Sequence, residues 1–490
     1  MKPGQGPWHF PKIRVVKAIV VEELHNTWMI NRVAFHTFGC RINQYDTETM
    51  RTLLEESGRF RAASPGEPAN IHVVNTCSVT AQADATARKA IRRILGEQPA
   101  AKIVVTGCYA QRAPADIARL PGVVLVLGTS DRTRIVAEID HCLASDRPRR
   151  ERTDSQNIVR RITVSPPQAA HAFPEVPIAR MMDRSRAVVK IQDGCNGACS
   201  FCIVPQTRGH SRSRQPQQVM EQITHLVDND YREIVLAGIH LGDYGLDLGQ
   251  GSPRLPDLIR QILTIPGLAR FRLSSIGPAA ITPEIIRLMA SEDKFARHFH
   301  IPLQSGSDEI LARMNRDYRI AQFEGLIHTI TDAIPDCGIG TDIICGFPGE
   351  SEARFQETLT RISDLPISYL HPFPYSARPG SLAESYPDQV PTEEKKARTR
   401  ILKELSRTKN RAFRQRHLGR IASVLVEAPT KDNRENTDKN TVETRTCFGW
   451  TDNYLRVAVQ GAPIGKNGLE TVRITGLDEN GLIGIPDRNP

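Results

Sequence analysis

The chain has 490 residues, of which 40% are hydrophobic and 24% are charged, a composition typical of a globular protein with about three domains. It contains no apolar run near the ~20 residues that a membrane-spanning helix needs, which excludes a membrane-embedded protein. Lysine and arginine total 64 against 55 acidic residues, giving a net charge of +9, and this favours a polyanionic partner. No export signal is visible, because Lys17 interrupts the first apolar stretch and Glu22 and Glu23 follow it. We therefore expect a cytoplasmic protein.

The amino-terminal third predicts one small sheet domain. Residues 1–29 carry no clear pattern and are interpreted as a disordered extension. From 30 to 145, β-like runs alternate with helical segments such as 44–57 and 81–95, which predicts an α/β sheet domain. Residues 146–183 are rich in arginine, proline and polar residues, with a basic run at 147–152. They are predicted to form a charged linker.

The middle of the chain predicts a barrel. Six β-like segments recur with helices between them, at 187–191, 233–237, 271–275, 298–303, 340–344 and 368–373. Parallel strands in this pattern predict a partial (β/α) barrel over 184–417, with its site at the carboxyl ends of the strands. The domain ends in a basic helix at 392–417, whose charge either forms a solvated face or contacts phosphates. The tail, 418–490, predicts a small antiparallel, OB-like β-barrel, a fold that often binds nucleic acid.

Three of the ten cysteines form the motif Cys195-x3-Cys199-x2-Cys202, directly after the first barrel strand. Three thiolates on one short loop can bind three irons of a 4Fe-4S cluster and leave the fourth iron open to a small molecule. A structural zinc site is the alternative, but zinc needs a fourth ligand. The nearest candidate, His210, lies in an arginine-rich stretch without zinc-like spacing. The spacing therefore predicts an iron–sulfur cluster.

Cys40, Cys77 and Cys108 each follow a β-like, apolar run. Because parallel α/β sheets gather functional groups at the carboxyl ends of their strands, these three thiols are candidates for a second triad. Three buried structural cysteines are the alternative interpretation. The remaining cysteines are predicted to be packing or surface residues: Cys142, Cys337, Cys345 and Cys447.

The motif at 195–202 resembles the signature of the radical S-adenosylmethionine (SAM) superfamily. The stretches Gly39-Cys40-Arg-Ile-Asn-Gln, Asn75-Thr-Cys77 and Gly107-Cys108-Tyr-Ala-Gln are similar to those of its methylthiotransferases. The carboxyl-terminal barrel resembles their RNA-binding TRAM domain. Residues 36–45 and 370–376 are most similar to the MtaB type, which modifies N6-threonylcarbamoyladenosine in tRNA. The MiaB type, which modifies isopentenyladenosine, and the RimO type, which modifies a ribosomal protein, fit these stretches less well.

This resemblance implies two 4Fe-4S clusters and SAM as cofactors. SAM would bind the open iron of the cluster on Cys195, Cys199 and Cys202, and its cleavage would yield a 5′-deoxyadenosyl radical that takes hydrogen from C2 of the adenine. The second cluster, on the other three cysteines, would supply the sulfur, which a second SAM methylates. The implied partners are the anticodon loop of tRNA and a reductant such as flavodoxin or ferredoxin. A monomer is expected, with no membrane partner.

The resemblance also implies further contacts around SAM and substrate. SAM contacts are expected at strand ends, on Gly238, Ser275, Gln304 and Asp342, and Phe201 either packs near the SAM adenine or belongs to the core. The threonylcarbamoyl group carries a carboxylate, for which a bidentate arginine is the best partner. The candidates are Arg208, Arg212, Arg214 and Arg378, with phosphate contact as the alternative for each. An isopentenyl substrate would require an apolar pocket instead. Outside the enzymes, an RNA-binding protein with a structural metal is the alternative.

Overall fold

The structure, a computed structural model, describes residues 31–145, 161–170, 172–181, 185–427, 446–461 and 468–487. The predicted extension at 1–29 and the basic run at 147–152 lie outside these residues.

The amino-terminal domain is a six-stranded parallel sheet with the strand order β2-β1-β3-β4-β5-β6. Its strands are β1 (Asn31–Thr37), β2 (Phe60–Ala62), β3 (Ile71–Thr76), β4 (Lys102–Gly107), β5 (Val123–Leu127) and β6 (Arg161–Thr163). Its helices are α1 (Arg41–Glu56), α2 (Ala81–Glu97), α3 (Cys108–Arg112), α4 (Pro114–Ala118) and α5 (Ile135–Ser145). All six residues of β3 are buried, as expected for a central strand covered by helices on both faces. β6 falls within the segment predicted as a linker, so part of that segment completes the sheet.

The barrel domain contains two parallel three-stranded sheets, ordered β11-β10-β7 and β12-β13-β14. Its strands are β7 (Arg186–Lys190), β8 (Gln192–Asp193), β9 (Arg212–Ser213), β10 (Glu233–Ala237), β11 (Arg270–Leu273), β12 (His298–His300), β13 (Gly338–Cys345) and β14 (Tyr369–Pro374). Its helices are α6 (Val204–Arg208), α7 (Pro216–Asp228), α8 (Leu255–Leu263), α9 (Pro283–Ser291), α10 (Asp308–Arg313), α11 (Ile320–Ala333), α12 (Glu352–Asp364) and α13 (Thr392–Gln415). β11 and β12 are in contact, which joins the two sheets into one partial barrel. The predicted fold class is confirmed here.

The carboxyl-terminal domain is a closed five-stranded barrel in the order β15-β16-β17-β19-β18. Its strands are β15 (Ile421–Glu427), β16 (Cys447–Thr451), β17 (Arg456–Val459), β18 (Leu469–Leu477) and β19 (Leu482–Pro486). β17 and β19 pair in parallel, whereas the other neighbours are antiparallel. The expectation of a purely antiparallel barrel is therefore wrong for this one pair. Among the described residues, the helices are all too short or too polar to span a membrane.

One turn of this small barrel covers the amino-terminal ends of the (β/α) barrel strands. Arg272 donates hydrogen bonds to the carbonyls of Thr451 and Asp452, at 3.0 and 2.9 Å. A side chain on Gly338, the first residue of β13, would collide with the backbone of Asn453. The Tyr454 ring stacks on His298, the first residue of β12, with the ring centroids 4.5 Å apart. The turn therefore forms the floor of the barrel lumen.

Candidate active site

The structure brings Cys40, Cys77 and Cys108 to one edge of the amino-terminal sheet. The three residues follow β1, β3 and β4, which are adjacent because β2 pairs on the outer side of β1. All three thiols are free. Burial raises the pKa of Cys77 to about 12, and the charges of Cys108 and Cys40 act in the same direction. The thiolate form of Cys77 therefore needs a bound cation, as a metal ligand would have.

Two glycines allow this close packing of the first triad. Gly39 has a φ of +97°, and a Cβ on it would lie 2.4 Å from the Cβ of Cys77. Gly107 has a φ of +94°, and its Cβ would lie 2.2 Å from the carbonyl oxygen of Thr76. A larger residue at either position would push the loops at the strand ends apart.

The second triad lies on the loop that follows β7 and β8. Backbone N–H groups of Gly197 and Val204 donate to the sulfurs of Cys195 and Cys202, at 3.2 and 3.4 Å. Arg316 donates to the sulfur of Cys199 at 3.1 Å. Such donors stabilise the negative charge of thiolates that hold a metal cluster.

The distances between the sulfurs can be compared with those of a zinc site. A Zn–S bond of about 2.3 Å in tetrahedral geometry places the sulfurs roughly 3.8 Å apart. In the part of the chain that the structure describes, neither triad brings its three sulfurs all within 4.8 Å of one another. The imidazole of His210 meets the side-chain oxygen of Asn196 at 3.3 Å. This spacing and the contact of His210 with Asn196 do not match a zinc site that His210 would complete.

A buried network of charges connects the two triads. Asp46 of α1 and Asp193 of β8 accept from three cations of the two domains: Arg132, Lys190 and Arg208. The side chains of Asp46, Asp193, Lys190 and Arg208 are at most 2% exposed. Arg208 also lowers the pKa of Cys77, although burial dominates that shift. The network fixes the amino-terminal sheet against the barrel and adds positive charge beside the first triad.

Polar side chains line the inward face of β12, β13 and β14. Asp342 lies 3.3 Å from Nε2 of His300 and 3.5 Å from Nδ1 of His371. Burial would raise the pKa of Asp342, but hydrogen bonds from these two histidines lower it to about 2. The alternate residues Phe299, Ile339 and Leu370 belong to the apolar core. The sheet therefore presents a polar face to the lumen and an apolar face to the helices.

Three of the four predicted SAM residues are neighbours in this lumen. Ser275 hydrogen-bonds the ring of His300 at 2.8 Å, and the backbone N–H of Gln304 donates to the carbonyl of Asp342 at 2.8 Å. Gln304 has a φ of +74°, a strained conformation for a residue other than glycine. Gly238 follows β10, the strand that pairs with β11, and a Cβ on it would be 3.0 Å from the side-chain oxygen of Gln192. The role of these four residues in SAM binding stays a prediction.

Two family models match the chain. The uncharacterized protein family UPF0004 matches residues 32–128, which carry the first triad, and the radical SAM superfamily matches residues 189–362, which carry the second. The threonylcarbamoyladenosine tRNA methylthiotransferase MtaB of Bacillus subtilis is 38% identical over 437 residues, covering 89% of this chain and 92% of that protein. The protein of the same name from Thermotoga maritima is 33% identical and covers 92% and 96%.

This chain belongs to the MtaB family. A second branch is also represented, since a tRNA-2-methylthio-N(6)-dimethylallyladenosine synthase of Acidothermus cellulolyticus is 36% identical over 400 residues, covering 80% of this chain and 76% of that protein. Among solved structures, the radical SAM methyltransferase TsrM of Kitasatospora setae matches with a TM-score of 0.51 and 15% identity, covering 72% and 76% of the two chains. That likeness concerns the fold alone.

The four arginines predicted to bind substrate all have partners inside this MtaB-family chain. Arg208 is paired with Asp46 and Asp193, and Arg212 donates to the carbonyl of Arg208 at 3.0 Å. Arg214 donates to Glu175 and to the hydroxyl of Tyr45. Arg378 pairs with Asp84 and Ser78, next to Cys77. These contacts give the four side chains a structural role, and their contact with substrate stays a prediction.

Sequence reasoning missed the residues that line the floor and the wall of the lumen. They are Arg41, His298, His300, Tyr369, His371 and Tyr454. His298 and His300 of β12, and Tyr369 and His371 of β14, are each two positions apart, so each pair faces the same side of its strand. This spacing was the only sign in the sequence that these side chains line the lumen. Burial lowers the pKa of His298 well below its usual value, with Arg272 acting in the same direction, so its ring is neutral.

Proposed function

We propose that this chain adds a methylthio group to C2 of N6-threonylcarbamoyladenosine at position 37 of tRNA, by radical SAM chemistry. The supporting observation is the pair of cysteine triads held against each other by one buried charge network. Cys108 lies close enough to the barrel loop for its charge to affect the pKa of Cys202, which burial raises to about 12. The reaction requires two separate groups of three thiols, because one would hold the cluster that binds SAM and the other would hold the cluster that supplies the sulfur.

The residues present fit two 4Fe-4S clusters with one open iron each. Cys195, Cys199 and Cys202 would hold the SAM-binding cluster, and the other triad would hold the second cluster. When bound, the clusters and SAM supply the reducing electron, the carbon radical and the sulfur for transfer. The protein would orient the SAM-binding cluster, because Arg316 and two backbone N–H groups donate to the sulfurs of Cys195, Cys199 and Cys202.

The chemistry of the lumen favours the threonylcarbamoyl substrate over the isopentenyl one. An isopentenyl group is apolar and would be bound best by apolar side chains. The inward face instead presents histidines, an aspartate, tyrosine hydroxyls and arginines. A polar substituent with hydroxyl, amide and carboxylate groups can satisfy these groups by hydrogen bonds.

We propose that tRNA binds along a cleft between α13, β14 and the carboxyl-terminal barrel. The cleft has a volume of about 940 Å³, and Arg407, Arg411 and Arg456 line it. Tyr369, His371 and Tyr454 line the same cleft, which therefore reaches the lumen. Arg407 makes an exposed pair with Glu404, whereas two other cations of α13 have buried partners, since Arg398 pairs with Glu350 and Arg414 donates to the carbonyl of Gly481. The proposal therefore assigns phosphate contact to Arg407 and Arg411 and a structural role to Arg398 and Arg414.

Replacing the three cleft arginines should weaken tRNA binding mainly at low salt. Each phosphate contact contributes about 0.7–0.9 to the slope of log affinity against log salt concentration. A variant with Arg407→Gln, Arg411→Gln and Arg456→Gln should therefore reduce this slope by about 2, measured by fluorescence anisotropy with labelled tRNA. The matched control is Arg119→Gln, an exposed arginine directly after α4, which should leave the slope unchanged. An unchanged slope in the triple variant would place the RNA elsewhere.

The substrate is tested by mass spectrometry of tRNA nucleosides. A strain without this gene should lose 2-methylthio-N6-threonylcarbamoyladenosine and accumulate its precursor, and a plasmid copy should restore it. Loss of the methylthio group from isopentenyladenosine would overturn the substrate. We further propose that the protein acts in the cytoplasm as a monomer and takes its electron from flavodoxin or ferredoxin.

A further inference from the structure

One arginine at the floor of the lumen has a charge that no carboxylate compensates. Arg41 is the first residue of α1 and directly follows Cys40. Its Nη2 donates to the hydroxyl of Tyr454 at 3.4 Å. Its Nη1 is buried and has no hydrogen-bond partner among the described residues. The side chain therefore keeps a donor available inside the barrel.

The surroundings of Arg41 add positive charge. Arg186 and Arg272 are the charged groups with the largest effect on it. Glu233, the buried carboxylate beneath them, is already paired with Arg270 and Arg272. A buried charge without a counter-ion is costly unless a ligand supplies one. The floor of the lumen is thus built to receive an anion.

The groups beside Arg41 form a cluster of polar side chains. Tyr454 stacks on His298, and Nε2 of His298 meets the hydroxyl of Tyr369 at 2.8 Å. Nδ1 of His298 is buried without a partner among the described residues. An anion bound by Arg41 would therefore find additional hydrogen-bonding groups within the same cluster.

We propose that Arg41 binds the carboxylate of the threonylcarbamoyl group and thereby selects the substrate. This inference rests on the proposed function and assigns to Arg41 the role that the sequence had suggested for Arg208, Arg212, Arg214 or Arg378. A charge-assisted pair between guanidinium and carboxylate is strong and geometrically specific. An isopentenyl group offers no anion, so it would leave the Arg41 charge buried and unpaired.

Two other anions fit this position less well. The loop of Cys195, Cys199 and Cys202 follows the carboxyl end of β7, whereas Arg186, a neighbour of Arg41, is the first residue of that strand. The carboxylate of a SAM molecule held by that loop therefore belongs at the other end of the lumen. An RNA phosphate would be bound in the arginine-lined cleft of the proposed RNA site, outside the lumen.

The test compares two anticodon stem-loop RNAs that differ only in charge. One carries N6-threonylcarbamoyladenosine at position 37, and the other carries its methyl ester, in which the carboxylate is neutral. With the full chain, reconstituted anaerobically, the wild type should use the acid about 10–100 times better than the ester, judged by kcat/KM. Arg41→Gln should lower kcat/KM for the acid to that for the ester, with the main change in KM, and Arg41→Lys should restore part of the preference.

Each outcome supports or overturns the role of Arg41. Equal losses on acid and ester in Arg41→Gln would mean a structural role, and a wild type that does not distinguish the two RNAs would mean that the carboxylate is not read. A rise in the KM for SAM with both RNAs would assign Arg41 to SAM. If the wild type modifies only an isopentenyladenosine stem-loop, the proposed function itself fails. Iron content and melting temperature should match the wild type, and Arg119→Gln should retain the full preference.

Discussion

Replacing Cys77 with alanine should stop methylthio transfer while SAM is still cleaved, whereas Cys199→Ala should stop both. The two residues belong to different triads on different domains, so each substitution should remove one cluster only. Iron content should fall in each variant from about eight to about four per chain, and each loss of activity should exceed 1000-fold, on the order of 4 kcal/mol in barrier height. The measurements are iron analysis, 5′-deoxyadenosine formation and mass spectrometry of the RNA product.

The control for these variants is Cys142→Ala, since Cys142 lies on α5 away from both triads. It should retain all iron and both activities. Two results would contradict the assignment: eight irons in Cys77→Ala, or SAM cleavage by Cys199→Ala. Far-UV circular dichroism should match the wild type in all three variants, because alanine is small and the neighbouring glycines are unchanged.

Asp193→Asn should destabilise the protein by about 3–5 kcal/mol, because it leaves buried cations without their counter-ion. Asp193 accepts from Arg208 at 2.9 Å, from Lys190 at 3.1 Å and from Arg132 at 3.3 Å. Urea unfolding followed by circular dichroism measures the loss. Asp257→Asn is the matched control, since the pair of Asp257 with Arg260 is about half exposed, and it should cost at most about 1 kcal/mol. Equal effects of the two substitutions would show that the network does not hold the domains together.

The pH dependence of this penalty follows from the direction of the pKa shift. Burial alone would raise the pKa of Asp193, but Lys190, Arg208 and Arg132 lower it well below the usual value. A carboxyl with a lowered pKa in the folded state contributes its full stability above about pH 4 and loses it as the pH falls further. The penalty of Asp193→Asn should therefore be constant from about pH 5 to 8 and should shrink in acid.

The cysteine triads were predictable because their signals are local. The loop at 195–202 carries all three thiols within eight residues, and Cys40, Cys77 and Cys108 each follow an apolar run that forms a strand. Strands that follow one another in the chain are usually neighbours in a parallel sheet. β1, β3 and β4 are therefore adjacent once β2 pairs with the other edge of β1. β6 was missed because only three of its residues pair with the sheet.

The substrate contacts were not predictable, because they depend on partners far apart in the chain. The sequence shows that Arg208 and Arg378 are charged, but it does not show that Asp193 and Asp84 already pair with them. Arg41 meets Tyr454, a residue 413 positions later, in a lumen formed by three domains. Its position next to Cys40 gave no sign of this contact. The charge of a residue is visible in the sequence, whereas the lack of a counter-ion becomes visible only in the folded structure.

The turn around Tyr454 has a consequence for any attempt to separate the domains. Asp452, Asn453 and Tyr454 form the bottom of the chamber in which the base would react, and Gly338 is shaped to receive them. A shortened chain ending near residue 420 would leave Arg272 and His298 open to water. Exchanging this small barrel for that of a relative would alter the cavity in which the base would react, in addition to the affinity for RNA. The proposed RNA binding and the shape of the reaction chamber thus depend on the same small domain.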